Sequence, residues 1–146
     1  MAPLELAEQP VATLGEMARL RLRTGTALAA DESVETSEQA RAAVASCDFA
    51  TVKLAKVGGP SAALEIARWL PVYLSSALDG PVGITAAAHV AQALPGAGLA
   101  HGLATSVLFA ETIGHGAELD GALLGVPDGP GLGVEIDERT LERHRM

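Results

Sequence analysis

The sequence predicts an α/β fold in which short parallel strands alternate with helices, in the manner of a (β/α) barrel. Charged or hydroxyl side chains recur at four stations, each at the end of a short apolar run: Glu8 closes LELAE, Asp31 closes ALAAD, Lys53 closes FATVK and Ser75 closes VYLS. The stations lie 23, 22 and 22 residues apart, and each gap holds one helix-patterned stretch, so the repeat is that of a strand plus its return helix. The runs are apolar on both parities, as strands covered on both faces require. Polar groups at successive strand ends share one rim, which is where parallel α/β barrels place their chemistry.

Taken in order, strands are predicted over residues 4–7, 27–30, 49–53, 72–75 and 98–101. The first helix, over 11–22, carries Leu14, Met17 and Ala18. In the second, Ala40, Ala43, Val44 and Cys47 fall at i, i+3, i+4, i+7 on one face. Ala63, Ile66, Ala67 and Leu70 repeat that spacing between Pro60, suited to a first helical position, and the stop at Pro71. Ile84, Ala87, Ala88 and Ala91 give a further stripe, ended by Pro95-Gly96. Strand–helix alternation implies a parallel sheet with right-handed connections. Residues 121–133, rich in Gly and Pro, read as an irregular loop, and GVEIDERTLERH reads as a short strand entering a helix with Asp137 as N-cap. This tail breaks the repeat and is expected to pack outside the barrel core.

The 146 residues fit one domain, whereas a closed eight-fold barrel takes at least ~200. A formal charge of −8, 3% aromatic residues and no basic cluster argue against nucleic-acid binding. A single cysteine, Cys47, excludes an intrachain disulfide and a multi-cysteine metal site, and suits a reducing cytoplasm. MAPLELAEQP has neither a basic n-region nor an apolar h-region, so no signal peptide is expected. Gly, Pro or charge interrupts every alanine-rich segment, so no membrane span is expected.

Two carboxylates on neighbouring strand ends, Glu8 and Asp31, with Lys53 on the next, would form a compact charged cluster. Oxygen donors of this kind suit Mg²⁺, which could hold a substrate carboxylate while an α-proton is removed. A lysine beside such a site can act as base or as cationic stabiliser. The plainer alternative, a solvated charge after each strand, does not account for the shared phase. Ser75 and Ser76 could donate to an anionic substrate or merely cap a turn. Glu32 and Lys56 are expected at the surface, His101 in a packing role and Cys47 in the core. His89, His115 and His144 receive no role. Gly58-Gly59 resembles a phosphate-cradling turn only superficially, and with no GxGxxG or GKS/T motif, nucleotide binding is not expected.

These stations resemble the enolase superfamily, in the branch with a muconate-cycloisomerase-like barrel. EQP with Glu8 looks like that family's fourth-strand metal ligand, and DES with Asp31 like its fifth-strand ligand. VKLAKVGG resembles the sixth-strand pattern of a lysine followed five positions later by Gly-Gly, which selects Lys53 over Lys56. SSALDGPVGITAAAHVA and HGLAT resemble the seventh- and eighth-strand motifs of the o-succinylbenzoate synthase family, with Asp79 where Glu is common and Ala104 where Gly is common. The likeness runs from about Leu4 to Phe109 and loosely into GLGVEIDE.

That resemblance implies the C-terminal part of a (β/α)₈ barrel, strands four to eight with their helices. Residues 1–120 would form the partial barrel and 121–146 a loop and strand–helix tail. The implied activity is Mg²⁺-dependent dehydration of 2-succinyl-6-hydroxy-2,4-cyclohexadiene-1-carboxylate to 2-succinylbenzoate in menaquinone synthesis. Glu8 and Asp31 would bind Mg²⁺, Lys53 would be the catalytic cation, and Ser75 and Ser76 would contact the substrate's succinyl carboxylate. The family's second-strand KxK, third-strand Asp and N-terminal capping domain have no counterpart in the sequence, so the chain reads as a truncated form, inactive alone. Two other readings are another racemase, epimerase or cycloisomerase of the superfamily, and a non-catalytic half-barrel or partner subunit. An open barrel edge makes self-association an expectation as well.

Overall fold

A computed structural model of the chain describes residues 4–96 and 99–145. Its central feature is a four-stranded parallel sheet of β1 (Leu6–Glu8), β2 (Ala27–Ala30), β3 (Phe49–Val52) and β4 (Val72–Leu74), ordered as in the sequence. The helices between them are α1 (Leu14–Thr24), α2 (Ser37–Ala43), and the pair α3 (Leu54–Val57) and α4 (Pro60–Ile66). After β4 comes α5 (Pro81–Ala93). This is the predicted βα alternation, and it forms part of a barrel wall.

Local chemistry explains each boundary. Thr13 with Glu16, and Thr36 with Gln39, form reciprocal capping boxes that satisfy the first amides of α1 and α2. Gly25 ends α1 in a left-handed conformation at φ 67°, which costs a residue without Cβ little. Pro60 and Pro81 open α4 and α5, where a missing N–H is no loss.

Strand alternation divides the sheet into two faces. Leu28 and Ala30, Ala50 and Val52, and Val72 and Leu74 face the helices and join Met17, Val34, Ile66 and Ile84 in the core. Small alanines on the strands let the helices approach closely. Each fully buried Leu, Ile or Met contributes about 1.5–3 kcal/mol, so Met17→Ala, which also leaves a cavity, should cost about 2–5 kcal/mol. The other face carries Ala29, Thr51 and Tyr73, continued past the strand ends by Asp31, Lys53 and Ser75. The rim at the strands' beginnings is held by Asp48, which pairs with Arg21 and accepts from the Leu28 N–H at 3.0 Å.

Four differences from the sequence reading have physical causes. First, β1 starts two residues later and ends one later than expected, because Leu4 is exposed and Glu8 itself pairs in register with Ala29. Second, Val44 is 46% exposed: it keeps helical dihedrals at the end of α2, but it lies outside the face that Ala40, Ala43 and Cys47 bury. Third, the fifth strand is reduced to one parallel bridge, Ser75 with Gly102. There the Leu74 N–H donates to Nδ1 of His101 at 3.0 Å, so an imidazole takes the place of a ladder carbonyl. Gly98, the start of that expected strand, lies outside the described residues.

Fourth, the tail is more ordered than a loop. Between a 3₁₀ turn over Thr105–Leu108 and the C-terminus lie β5 (Gly114–His115), β6 (Glu118–Asp120), β7 (Leu123–Gly125), β8 (Glu135–Ile136) and α6 (Glu138–Arg143). β6 and β7 form a hairpin that turns at Gly121 with φ 60°, and the line drawn between residues 120 and 121 falls in that turn. Leu124 and Ala117 pack against the main core. β5 pairs antiparallel with β8, and Asp137 caps α6 as expected, accepting from the Arg139 and Thr140 amides. Among the described residues, no helix is long and apolar enough to cross a membrane.

Candidate active site

The four stations do converge. Glu8 ends β1, Asp31 follows β2, Lys53 follows β3 and Ser75 follows β4, all at the C-terminal rim of one parallel sheet. By register they share the face that the helices do not cover. Lys53 occupies the N-cap of α3 and its ammonium donates to Oδ2 of Asp31. The two side chains are only 13% and 10% exposed, so the pair is largely shielded from water. Asp31 is a buried polar residue whereas Glu8 is exposed.

Glu8 is held by a residue the sequence reading passed over. The Tyr73 hydroxyl donates to Oε2 of Glu8 and in turn accepts from Oγ1 of Thr51 at 2.6 Å. Tyr73 reaches from β4 to the end of β1 across the sheet. Burial, together with the Glu8 carboxylate, holds the Tyr73 phenol well above its usual range. The hydroxyl is therefore a fixed donor. One signal was available: Tyr73 and Thr51 sit two residues before Ser75 and Lys53, on the same parity.

Of the two serines, Ser76 is the one engaged. Its Oγ accepts from the Asp79 N–H at 2.9 Å and is hydrogen-bonded to Oγ1 of Thr105 at 2.6 Å, so it closes the SSALD turn. That turn is strained, with Leu78 at φ 64°. Ser75 lies under Gly102, where a Cβ would come within 3.1 Å of its Oγ. Glu32 and Lys56 are exposed, as expected. Gly58 and Gly59, at φ 95° and 107°, turn the chain from α3 into α4. His101 serves the backbone, His89 approaches the Leu132 carbonyl at 3.1 Å, and His144 approaches Glu111.

Among the described residues, no three His, Cys, Asp or Glu side chains converge as a metal cluster. The two rim carboxylates nonetheless suit Mg²⁺, which takes one or two carboxylates and keeps several waters. Tyr73 takes one oxygen of Glu8 and Lys53 one oxygen of Asp31. Among the described residues, Oε1 and Oδ1 carry no protein hydrogen bond, so each acid has an oxygen left for a cation.

A parallel half-barrel with acids and a lysine on successive strand ends defines a class, and the comparisons name it. The enolase C-terminal domain-like family matches residues 1–140, and the chain belongs to that family. More particularly, it is 46% identical over 126 residues to the o-succinylbenzoate synthase of Mycobacterium ulcerans (strain Agy99), covering 83% of this chain and 38% of that protein. The o-succinylbenzoate synthase of Mycobacterium tuberculosis (strain ATCC 25618 / H37Rv) is also 46% identical, over 83% of this chain and 39% of its own length. The chain thus spans about two fifths of the curated relatives it matches.

Among solved structures, muconate lactonizing enzyme from Pseudomonas putida superposes with a TM-score of 0.89 at 31% identity, over 96% of this chain and 42% of that one. For 2-chloromuconate cycloisomerase from Rhodococcus opacus 1CP the TM-score is 0.92 at 29% identity, over 98% and 42%. These likenesses agree with a partial barrel.

Proposed function

We propose that this chain supplies the C-terminal catalytic half of an o-succinylbenzoate synthase, a lyase that dehydrates a cyclohexadiene carboxylate to 2-succinylbenzoate. The observation that carries the reading is the shielded Asp31–Lys53 pair beside Glu8 on one rim, in a chain 46% identical to proteins of that name. Glu8 and Asp31 would hold Mg²⁺, which when bound supplies positive charge opposite a substrate carboxylate. Lys53 sits beside that position and offers a cation to the negative charge that develops as the α-proton leaves. Tyr73 and Thr51 hold the Glu8 carboxylate to one orientation, which spares the site reorganisation during the reaction.

Ser75 and Ser76 stand one strand further along the same rim, in reach of a second carboxylate on the substrate. The occupied hydrogen bonds of Ser76 make it the support of the turn and leave Ser75 as the freer donor. The elements from β1 to α5 form the barrel wall, and the paired strands β5 to β8 with α6 brace it from outside. The barrel edge at β1 is the surface through which further barrel strands or a second copy would associate.

The test joins this chain to the N-terminal part of a mycobacterial o-succinylbenzoate synthase and follows loss of the cyclohexadiene absorbance. Mg²⁺-dependent turnover, abolished by Lys53→Ala, is the expected result. A folded chimera that racemises N-acylamino acids without dehydrating would overturn the substrate assignment.

A further inference from the structure

Gln9 follows Glu8 directly and adopts φ 36°, a left-handed conformation that costs a residue with a Cβ energy and persists only where its surroundings enforce it. Its own N–H donates to the Ala29 carbonyl at 2.8 Å, one step beyond the β1–β2 ladder. Its side-chain amide is saturated. Oε1 accepts from the Asp31 N–H at 2.9 Å and the Ser33 N–H at 3.4 Å. Nε2 donates to the Val11 carbonyl at 2.9 Å and to Oγ of Ser33 at 2.9 Å.

The amide's orientation follows from these partners. Flipping it would set an N–H₂ group against the amides of Asp31 and Ser33 and an oxygen against the Val11 carbonyl. Gln9 therefore ties the loop leaving β1 to the loop leaving β2, and grips the second at the backbone of Asp31 itself. The left-handed turn is what permits this reach, since an extended residue after Glu8 would continue the strand's alternation and face the helices.

We infer that Gln9 is a positioning residue: it sets Asp31 relative to Glu8 and so governs how tightly the pair holds a divalent cation. The inference rests on the proposed metal role of those two carboxylates. Groups that orient metal ligands from outside the coordination sphere typically change affinity by 10–100-fold when removed. A clip serving only loop stability would lower the melting temperature and leave the affinity of the folded protein unchanged.

The experiment measures Mn²⁺ binding to the full chain by electron paramagnetic resonance of the free ion, for the parent, Asp31→Asn, Gln9→Met and Gln9→Gly. Gln9→Met keeps the length and removes the amide. Gln9→Gly also releases the φ strain, so it should fold where the methionine variant does not. Both are expected to weaken Mn²⁺ about 10-fold or more, with faster amide hydrogen exchange at Asp31 and Ser33 in the folded variants. Binding lost in Asp31→Asn but kept in folded Gln9→Met and Gln9→Gly overturns the inference alone. No binding by the parent, or binding indifferent to Asp31→Asn, overturns the metal reading and the inference with it.

Discussion

Replacing Lys53 by Met leaves the Asp31 carboxylate without its counter-charge while it remains about 10% exposed. Two unit charges 4 Å apart interact by about 4 kcal/mol at an effective dielectric near 20. Removing one member of a shielded pair typically costs about 3–5 kcal/mol. Residual exposure on both side chains and the methionine's own apolar contacts lower that figure, so a loss of about 3 kcal/mol is expected. For a chain of this size that is a fall of about 6–12 °C in melting temperature.

Urea denaturation of the parent, Lys53→Met, Asp31→Asn and the double variant gives the coupling directly. The double variant should recover most of the loss, because it removes the stranded charge as well. Millimolar Mg²⁺ should stabilise Lys53→Met more than Lys53→Met/Asp31→Asn, since only the first keeps the carboxylate for the ion. A loss under about 1 kcal/mol for Lys53→Met, the range of exposed pairs, with additive single effects would show that Asp31 is solvated and the reasoning wrong.

Three further outcomes follow from the same geometry. Tyr73→Phe strands the buried Thr51 hydroxyl and should cost about 1–3 kcal/mol by urea titration; adding Thr51→Val should return part of it, and no loss in the single variant would remove Tyr73 from the Glu8 network. His101 is held below the usual imidazole range by partial desolvation. Because the folded state disfavours its protonation, its contribution is complete above the unfolded value near 6.5 and is lost as pH falls from there through the folded value; replacing His101 by Gln should flatten stability over that window, and an unchanged profile would refute this. The Cys47 thiol is buried and pushed above its usual range, chiefly by desolvation, so a thiol reagent should modify it only as the chain unfolds in denaturant; rapid labelling of the native protein would contradict the packing of α2 on the sheet.

Glu8, Asp31, Lys53 and Ser75 could be found from the sequence because a strand with its return helix has a nearly constant length. Parallel strands then bring every such station to the same rim, whatever the details of packing. The capping signals at Asp137 and Pro60 were legible for a similar reason: they act within a single turn of chain. The hairpin of β6 and β7 was not, because its pairing depends on Gly121 taking a left-handed turn and on Leu124 and Ala117 meeting the core. Among the described residues, the reduction of the fifth strand to one bridge turned on whether a carbonyl or the His101 ring would meet the Leu74 amide.

The hydrogen bonds that organise the rim were least visible of all. Tyr73 and Glu8 stand 65 positions apart, and Gln9 meets Asp31 and Ser33 across 22 and 24. The sequence alone determined which residues occupy the rim, through a repeat set by backbone lengths. Strand register, the curvature of the sheet and one left-handed residue decided which of them touch, because a hydrogen bond requires its partners to be placed within a few tenths of an ångström, and only the assembled sheet sets positions that closely.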